Sequence, residues 1–166
     1  MRRRHCFYCY RYFFLVDLLS YKIMKYLILL LFSFPIFASH HIRSTNLSDI
    51  CTTHTDVYRH VSESLRGKVY SRDGVTGGNH TGICSSKEGC EVDHRVSLEL
   101  GGSNDISNLM IQPYDGQCNA HQKDALENRL HKLSCAKQIA LADAQKQIYN
   151  DWESAYKLYV NPKGCN

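Results

Sequence analysis

The stretch EVDHRVSLEL (residues 91–100), followed by GGSNDISN (101–108) and LMI (109–111), decides the fold. In the first segment Val92, His94, Val96 and Leu98 alternate with Asp93 and Arg95, the period of a half-buried strand, and Gly101-Gly102 ends it. The apolar run at 109–111, closed by Pro113, predicts the second strand of a small antiparallel pair. Residues 119–133 then place Leu126, Leu130 and Leu133 at helical spacing. Asp124 and Glu127 come early and Arg129, His131 and Lys132 late, an order that suits the helix macrodipole. The expected order is strand, glycine loop, strand, helix.

Working outward, Val61, Leu65, Val69 and Tyr70 predict a short helix over 61–71, and the Gly, Ser, Thr and Asn of 73–89 predict a loop or loose hairpin. Ile148, Trp152, Ala155, Tyr156 and Tyr159 form the apolar stripe of a last helix over about 141–159. Residues 40–49 are polar without an apolar period and read as a flexible N-terminus of the mature chain. No internal repeat or low-complexity segment is present.

Residues 1–39 are unlike the rest. From Met24, Lys25 supplies a positive n-region, residues 26–34 an apolar core, and Pro35, Ala38 and Ser39 a cleavage region. The segment is expected to be a secretory signal peptide cut after Ala38 or Ser39, leaving no stable membrane association. It is short for a bilayer span, which needs about 20 apolar residues, although an uncleaved anchor is the alternative. The residues before Met24 read either as a misassigned start, with Met24 the true one, or as a long Arg-rich n-region. The formal net charge of +4 resides in this leader, since the remainder carries 14 basic against 15 acidic side chains. A polyanion would therefore be held by a local patch or a bound metal, not by the field of the whole protein. Of eight cysteines six follow the leader, namely Cys51, Cys84, Cys90, Cys118, Cys135 and Cys165. An even count after a signal peptide reads as a disulfide framework in an oxidising compartment, with Cys84–Cys90 the local pair and Cys51–Cys135 joining the two ends of the core. Zinc is the rival, without the close Cys pairs that usually announce it.

Asp93-His94 in the first strand, Asn108 closing the loop and Asn119 opening the helix are separated by 14 and 11 residues. With EVDHRVSLELGGSNDISNL (91–109), QPY (112–114) and NAHQKDALENRLH (119–131), this pattern resembles the HNH nucleases, in particular a group of small exported bacterial HNH proteins. The resemblance covers about residues 50–160. It implies an α+β fold with a ββα-metal (HNH, His-Me finger) core over about 90–133, inside a disulfide-stabilised domain over 50–162 with a helix on either side.

The residue types suit that chemistry. A phosphodiester is anionic and resists hydroxide, so a site needs a cation on the phosphate and a base that makes a nucleophile of water. Asp93 and Asn119 offer oxygen ligands to one hard divalent ion, Mg²⁺ or Mn²⁺. His121, two residues beyond Asn119, is the alternative ligand. Neighbours on a strand point to opposite faces unless it is twisted or bulged. The resemblance implies that His94 faces the attacking water as general base while Asp93 faces the metal. Asn108 is expected to brace the His94 imidazole, and Arg95 and Lys123 to contact substrate phosphate. Blander readings stand beside these: His94 as a half-buried strand residue, Asn108 as a turn closer, Asn119 as a helix cap, and Lys123, Arg129 and Lys132 as a solvated helix face. Glu127 either orients the site or braces the fold. His54, His60, His80 and His131 have no metal-ligand spacing.

The expected function is a low-specificity, metal-dependent endonuclease on DNA, with RNA as a further substrate, exported to the periplasm or medium. The alternatives are an exported disulfide-stabilised binding domain with an inactive HNH fold, and a metal-dependent hydrolase of another phosphoester.

Overall fold

Side-chain caps set where the helices begin. In the computed structural model, which describes residues 39–75 and 89–165, Asn46 accepts from the Ser48 amide and opens α1 (Leu47–Thr52). Ser62 accepts from the Leu65 amide and opens α2 (Glu63–Arg72). Asn119 and Gln122 cap each other reciprocally at the start of α3 (Ala120–Cys135). Each cap satisfies an amide that the first helical turn leaves without a partner. In α4 (Leu141–Tyr159), Asp151 departs from helical geometry, and its carboxylate accepts from the Ser154 amide at 3.0 Å, restarting the helix beyond the kink.

Two strands, β1 (Cys90–His94) and β2 (Leu109–Pro113), pair antiparallel with Asp93 opposite Met110 and His94 opposite Leu109. The result is an α+β protein. β1 stops earlier than the alternation predicts. After His94 the chain turns, and Leu98–Leu100 form a 3-10 turn instead of more strand. Val96 and Leu98 mimic a strand face because the turn aims them inward, where both are buried. The turn needs its two glycines. Gly101 has φ +81°, and a Cβ on Gly102 would lie 1.8 Å from the Val96 carbonyl oxygen.

The small sheet sits between helices. Val92, Leu109 and Ile111 pack with Val69 of α2 and with Val75. Asp93 reaches Lys123 of α3. The larger core joins Leu126 and Leu130 of α3 to Leu141, Ala144 and Ile148 of α4, and to Val96 and Leu100 of the turn. Burying each of these Val, Leu and Ile side chains stabilises by about 1.5–3 kcal/mol.

Residues 40–49, expected to be flexible, are docked. Ile42 bridges Gly102, the Arg43 amide donates to the Gly101 carbonyl at 2.7 Å, and the Gln145 amide donates to the Ser44 carbonyl at 3.0 Å. The segment has no apolar period because backbone bonds to the glycine turn hold it.

Cys51–Cys135 joins α1 to the end of α3, as expected, and Cys118–Cys165 joins the start of α3 to the C-terminus. Cys90 is also disulfide-bonded, while Cys84 and the leader lie outside the described residues. These bridges suit an oxidising compartment. Among the described residues no helix is long and apolar enough to cross a membrane.

Candidate active site

β1 delivers Asp93 and His94 to one cleft of about 520 Å³, whose walls also include Glu91, Tyr114 of the segment after β2, and Asp124 and Glu127 of α3. The two neighbours share the cleft because His94 is the last strand residue. Behind them lies Lys123, fully buried at 0 % exposure. Its ammonium donates to Asp93 Oδ2 at 2.6 Å, to the His94 carbonyl at 2.7 Å and to Glu127 Oε1. All three donors are used, and the expected contact to substrate phosphate is thereby corrected: a charge inside the protein is tolerated only when fully partnered, and this one is committed to its own site. Burial opposes the Lys123 charge, but the Glu127 and Asp93 carboxylates outweigh it and hold the ammonium above its ordinary pKa. Burial raises Glu127, against the pull of Lys123. We regard Lys123 as charged, since three acceptors surround it.

His94 is 7 % exposed, and its Nε2 lies 2.8 Å from Asn104 Oδ1. The Asn104 amide nitrogen donates to the Tyr58 carbonyl at 2.8 Å, which turns Oδ1 toward the imidazole. Nε2 therefore carries the proton and Nδ1 is the ring's acceptor. Burial lowers the His94 pKa, with Asn104 and Asp93 opposing, so the ring is neutral at neutral pH.

Asn108 does not perform the expected bracing. Fully buried, it accepts from the Val96 amide at 2.9 Å and donates to the Val96 carbonyl at 3.0 Å and the Ser103 carbonyl at 2.8 Å. It staples the turn, and Asn104 takes the place beside the imidazole. Asn104 was visible within GGSND, but nothing in the sequence distinguishes which asparagine reaches the ring.

Asn119 spends Oδ1 on its capping box and Nδ2 on the Gly116 carbonyl at 3.1 Å. His121 is exposed, stacked on Tyr114 with 5.7 Å between ring centroids. Neither lines the cleft with Asp93. Arg95 is also outside it, its charge acting on His41 and Asp73. Arg59 and Arg66, which the sequence did not single out, do line it.

The cleft carries a surplus of carboxylates. Asp124 is raised by burial and by Asp93, and Glu91 likewise, while the Tyr114 hydroxyl donates to Glu91 Oε2 at 3.0 Å. Burial and that carboxylate push Tyr114 up to about 12. Glu99 Oε2, also in the wall, is buried without a hydrogen-bond partner. By donor type these carboxylates, an orphaned oxygen among them, suit a hard divalent ion such as Mg²⁺ or Mn²⁺. Asp93 and Asp124 both line the cleft, Asp93 with one carboxylate oxygen bonded to Lys123.

Cys51, His131 and Cys135 bring their donor atoms within 4.8 Å of one another. The two sulfurs are bonded to each other, so the thiolates a metal requires are absent, and His131 Nε2 donates to the Ile50 carbonyl at 3.2 Å. Comparisons with protein-family models, curated proteins and solved structures give no match for this chain.

Proposed function

We propose that β1, β2 and α3 form a ββα-metal unit of the HNH kind, and that the protein is an exported, metal-dependent endonuclease that hydrolyses phosphodiester bonds of DNA, with RNA as a further substrate. One observation carries the reading. A neutral histidine, oriented by Asn104 so that Nδ1 is its acceptor, stands in the same cleft as a surplus of carboxylates that calls for a cation. A base and a cation site side by side are what phosphodiester hydrolysis needs.

Asp93 and Asp124 would hold the metal ion, which when bound supplies charge to offset that developing on the phosphate and the leaving oxygen. The chain's own residues do the rest. His94 accepts the proton of the attacking water at Nδ1, and Asn104 stabilises the resulting imidazolium through Nε2–H. Lys123 fixes the Asp93 carboxylate from behind and, through the His94 carbonyl, the backbone of the base. The Cys51–Cys135 and Cys118–Cys165 disulfides suit export.

The test is degradation of plasmid DNA by purified protein lacking the leader, with Mg²⁺ or Mn²⁺ and with EDTA. Metal-dependent nicking lost in EDTA is expected. Intact plasmid under every condition contradicts the proposal, and cleavage of a small phosphodiester such as bis(p-nitrophenyl) phosphate without any of DNA or RNA points to the other phosphoesterase.

A further inference from the structure

We infer that Arg59, Arg66 and the Ser97 hydroxyl, which line the same cleft as the carboxylates, form the seat for the substrate's phosphate. The inference deepens the endonuclease reading and rests on it. A carboxylate-lined cleft repels a phosphate unless cationic donors line it too. With Lys123 consumed inside the protein and Arg95 outside the cleft, Arg59 and Arg66 are the cations that line it among the described residues.

Each of the three groups has donor capacity that the fold leaves unused. The exposed Arg59 guanidinium has no ion-pair partner among the described residues, and its charge is felt by both His94 and Asp124. Arg66 Nε is buried without a hydrogen-bond partner, its nearest carboxylate, Glu63 Oε1, standing 3.7 Å away on a side chain that is 94 % exposed. Ser97 is 2 % exposed, and its hydroxyl neither caps the turn it precedes nor finds any other partner among the described residues. A buried orphaned hydroxyl is costly, and a ligand oxygen in the cleft would satisfy it.

The three come from separate segments that the fold makes converge. Ser97 follows the base by three residues in the turn that Asn108 staples. Arg66 lies on α2, and Arg59 directly follows Tyr58, whose carbonyl holds Asn104 against His94. The segment that carries Arg59 is thus tied to the brace of the base. Tyr58 is itself fixed by Arg43, whose guanidinium lies 3.5 Å over its ring. A guanidinium pair with a hydroxyl offers several donors to the non-bridging oxygens of a phosphodiester, the fork geometry that arginine supplies and lysine does not.

The experiment uses the oxidised protein without its leader and a short fluorescein-labelled single-stranded DNA. Binding is followed by anisotropy over a series of KCl concentrations in a His94→Ala background, and steady-state cleavage is followed in the otherwise wild-type protein. Arg59→Gln and Arg66→Gln should each weaken binding about tenfold or more and reduce the slope of log affinity against log salt by ~0.7. Arg59→Lys should restore the slope but not the whole affinity. Ser97→Ala should raise KM while leaving the melting temperature unchanged or higher, because it removes an orphaned group. A merely structural serine would lower the melting temperature instead. Lys157→Gln, exposed on α4 and outside the cleft, serves as the charge control. Metal-dependent cleavage by wild type with unchanged slope and KM in both Arg→Gln variants overturns this inference alone. Absence of binding in the His94→Ala background together with absence of cleavage in the wild type overturns the endonuclease reading, and the phosphate seat with it.

Discussion

Replacing Asn108 should unfold the protein before it disturbs the chemistry. Asn108→Ala removes one acceptor and two donor bonds from a side chain with 0 % exposure and leaves the Val96 amide, the Val96 carbonyl and the Ser103 carbonyl without those partners. Each such bond stabilises by about 0.5–1.5 kcal/mol net, and a buried backbone group left alone costs about 1–3 kcal/mol. Partial relaxation and water entry reduce the sum, so a loss of about 3–4 kcal/mol is expected, a large share of the ~5–15 kcal/mol of a typical domain. At roughly 3–5 °C per kcal/mol for a domain of this size, the melting temperature should fall by about 10–20 °C. Asn108→Asp should be at least as damaging, because a buried carboxylate would keep the Val96 amide but face two carbonyl oxygens. Asn104→Ala provides the contrast. It deletes the bonds to His94 and Tyr58, should cost about 1 kcal/mol, and should lower turnover roughly 10–100-fold, the usual scale for a residue that orients another. Urea unfolding of the oxidised proteins, beside plasmid cleavage at a temperature where all are folded, separates the two. An Asn108→Ala variant with the wild-type urea midpoint but no turnover would place its amide at the imidazole and refute the reasoning.

Three further outcomes are expected. His94→Ala should lose about 10²–10⁴ in turnover with metal affinity retained, whereas Asp93→Ala should weaken metal binding in calorimetric titration; Asn119→Ala should do neither, costing only about 1 kcal/mol of stability as a lost cap. Metal affinity lost in Asn119→Ala would return it to the ligand set. Because burial lowers the His94 pKa from its ordinary 6.5, the unprotonated base persists to lower pH, and the acid limb of kcat/KM should lie below 6.5; a limb above that value would contradict a buried, neutral base. Lys123→Met should cost about 3–5 kcal/mol by leaving the Asp93 carboxylate, the His94 carbonyl and the Glu127 carboxyl without their shared donor, and a variant of unchanged stability in urea would show that the ammonium does not hold them together.

Elements whose signals are local were legible in the sequence. The β2 run at 109–111, the helix opened by Asn119, the stripe of α4 and the Asp93-His94 pair all depend on period, cap and adjacency, which a chain carries in its own order. The mixed helix and strand content and the Cys51–Cys135 bridge were also within reach. Tertiary structure alone decided the rest. It ended β1 at His94, since Val96 and Leu98 are buried by a turn whose staple, Asn108, lies 12 residues beyond Val96. It drew Lys123 inside, set Asn104 rather than Asn108 on the imidazole, spent Asn119 on its own helix and brought Arg59 and Arg66 to the cleft. The physical reason is the same in each case. A hydrogen-bond donor or a charge declares its type in the sequence but not its partner, and the partner is chosen by which long-range approach leaves the fewest buried groups unsatisfied.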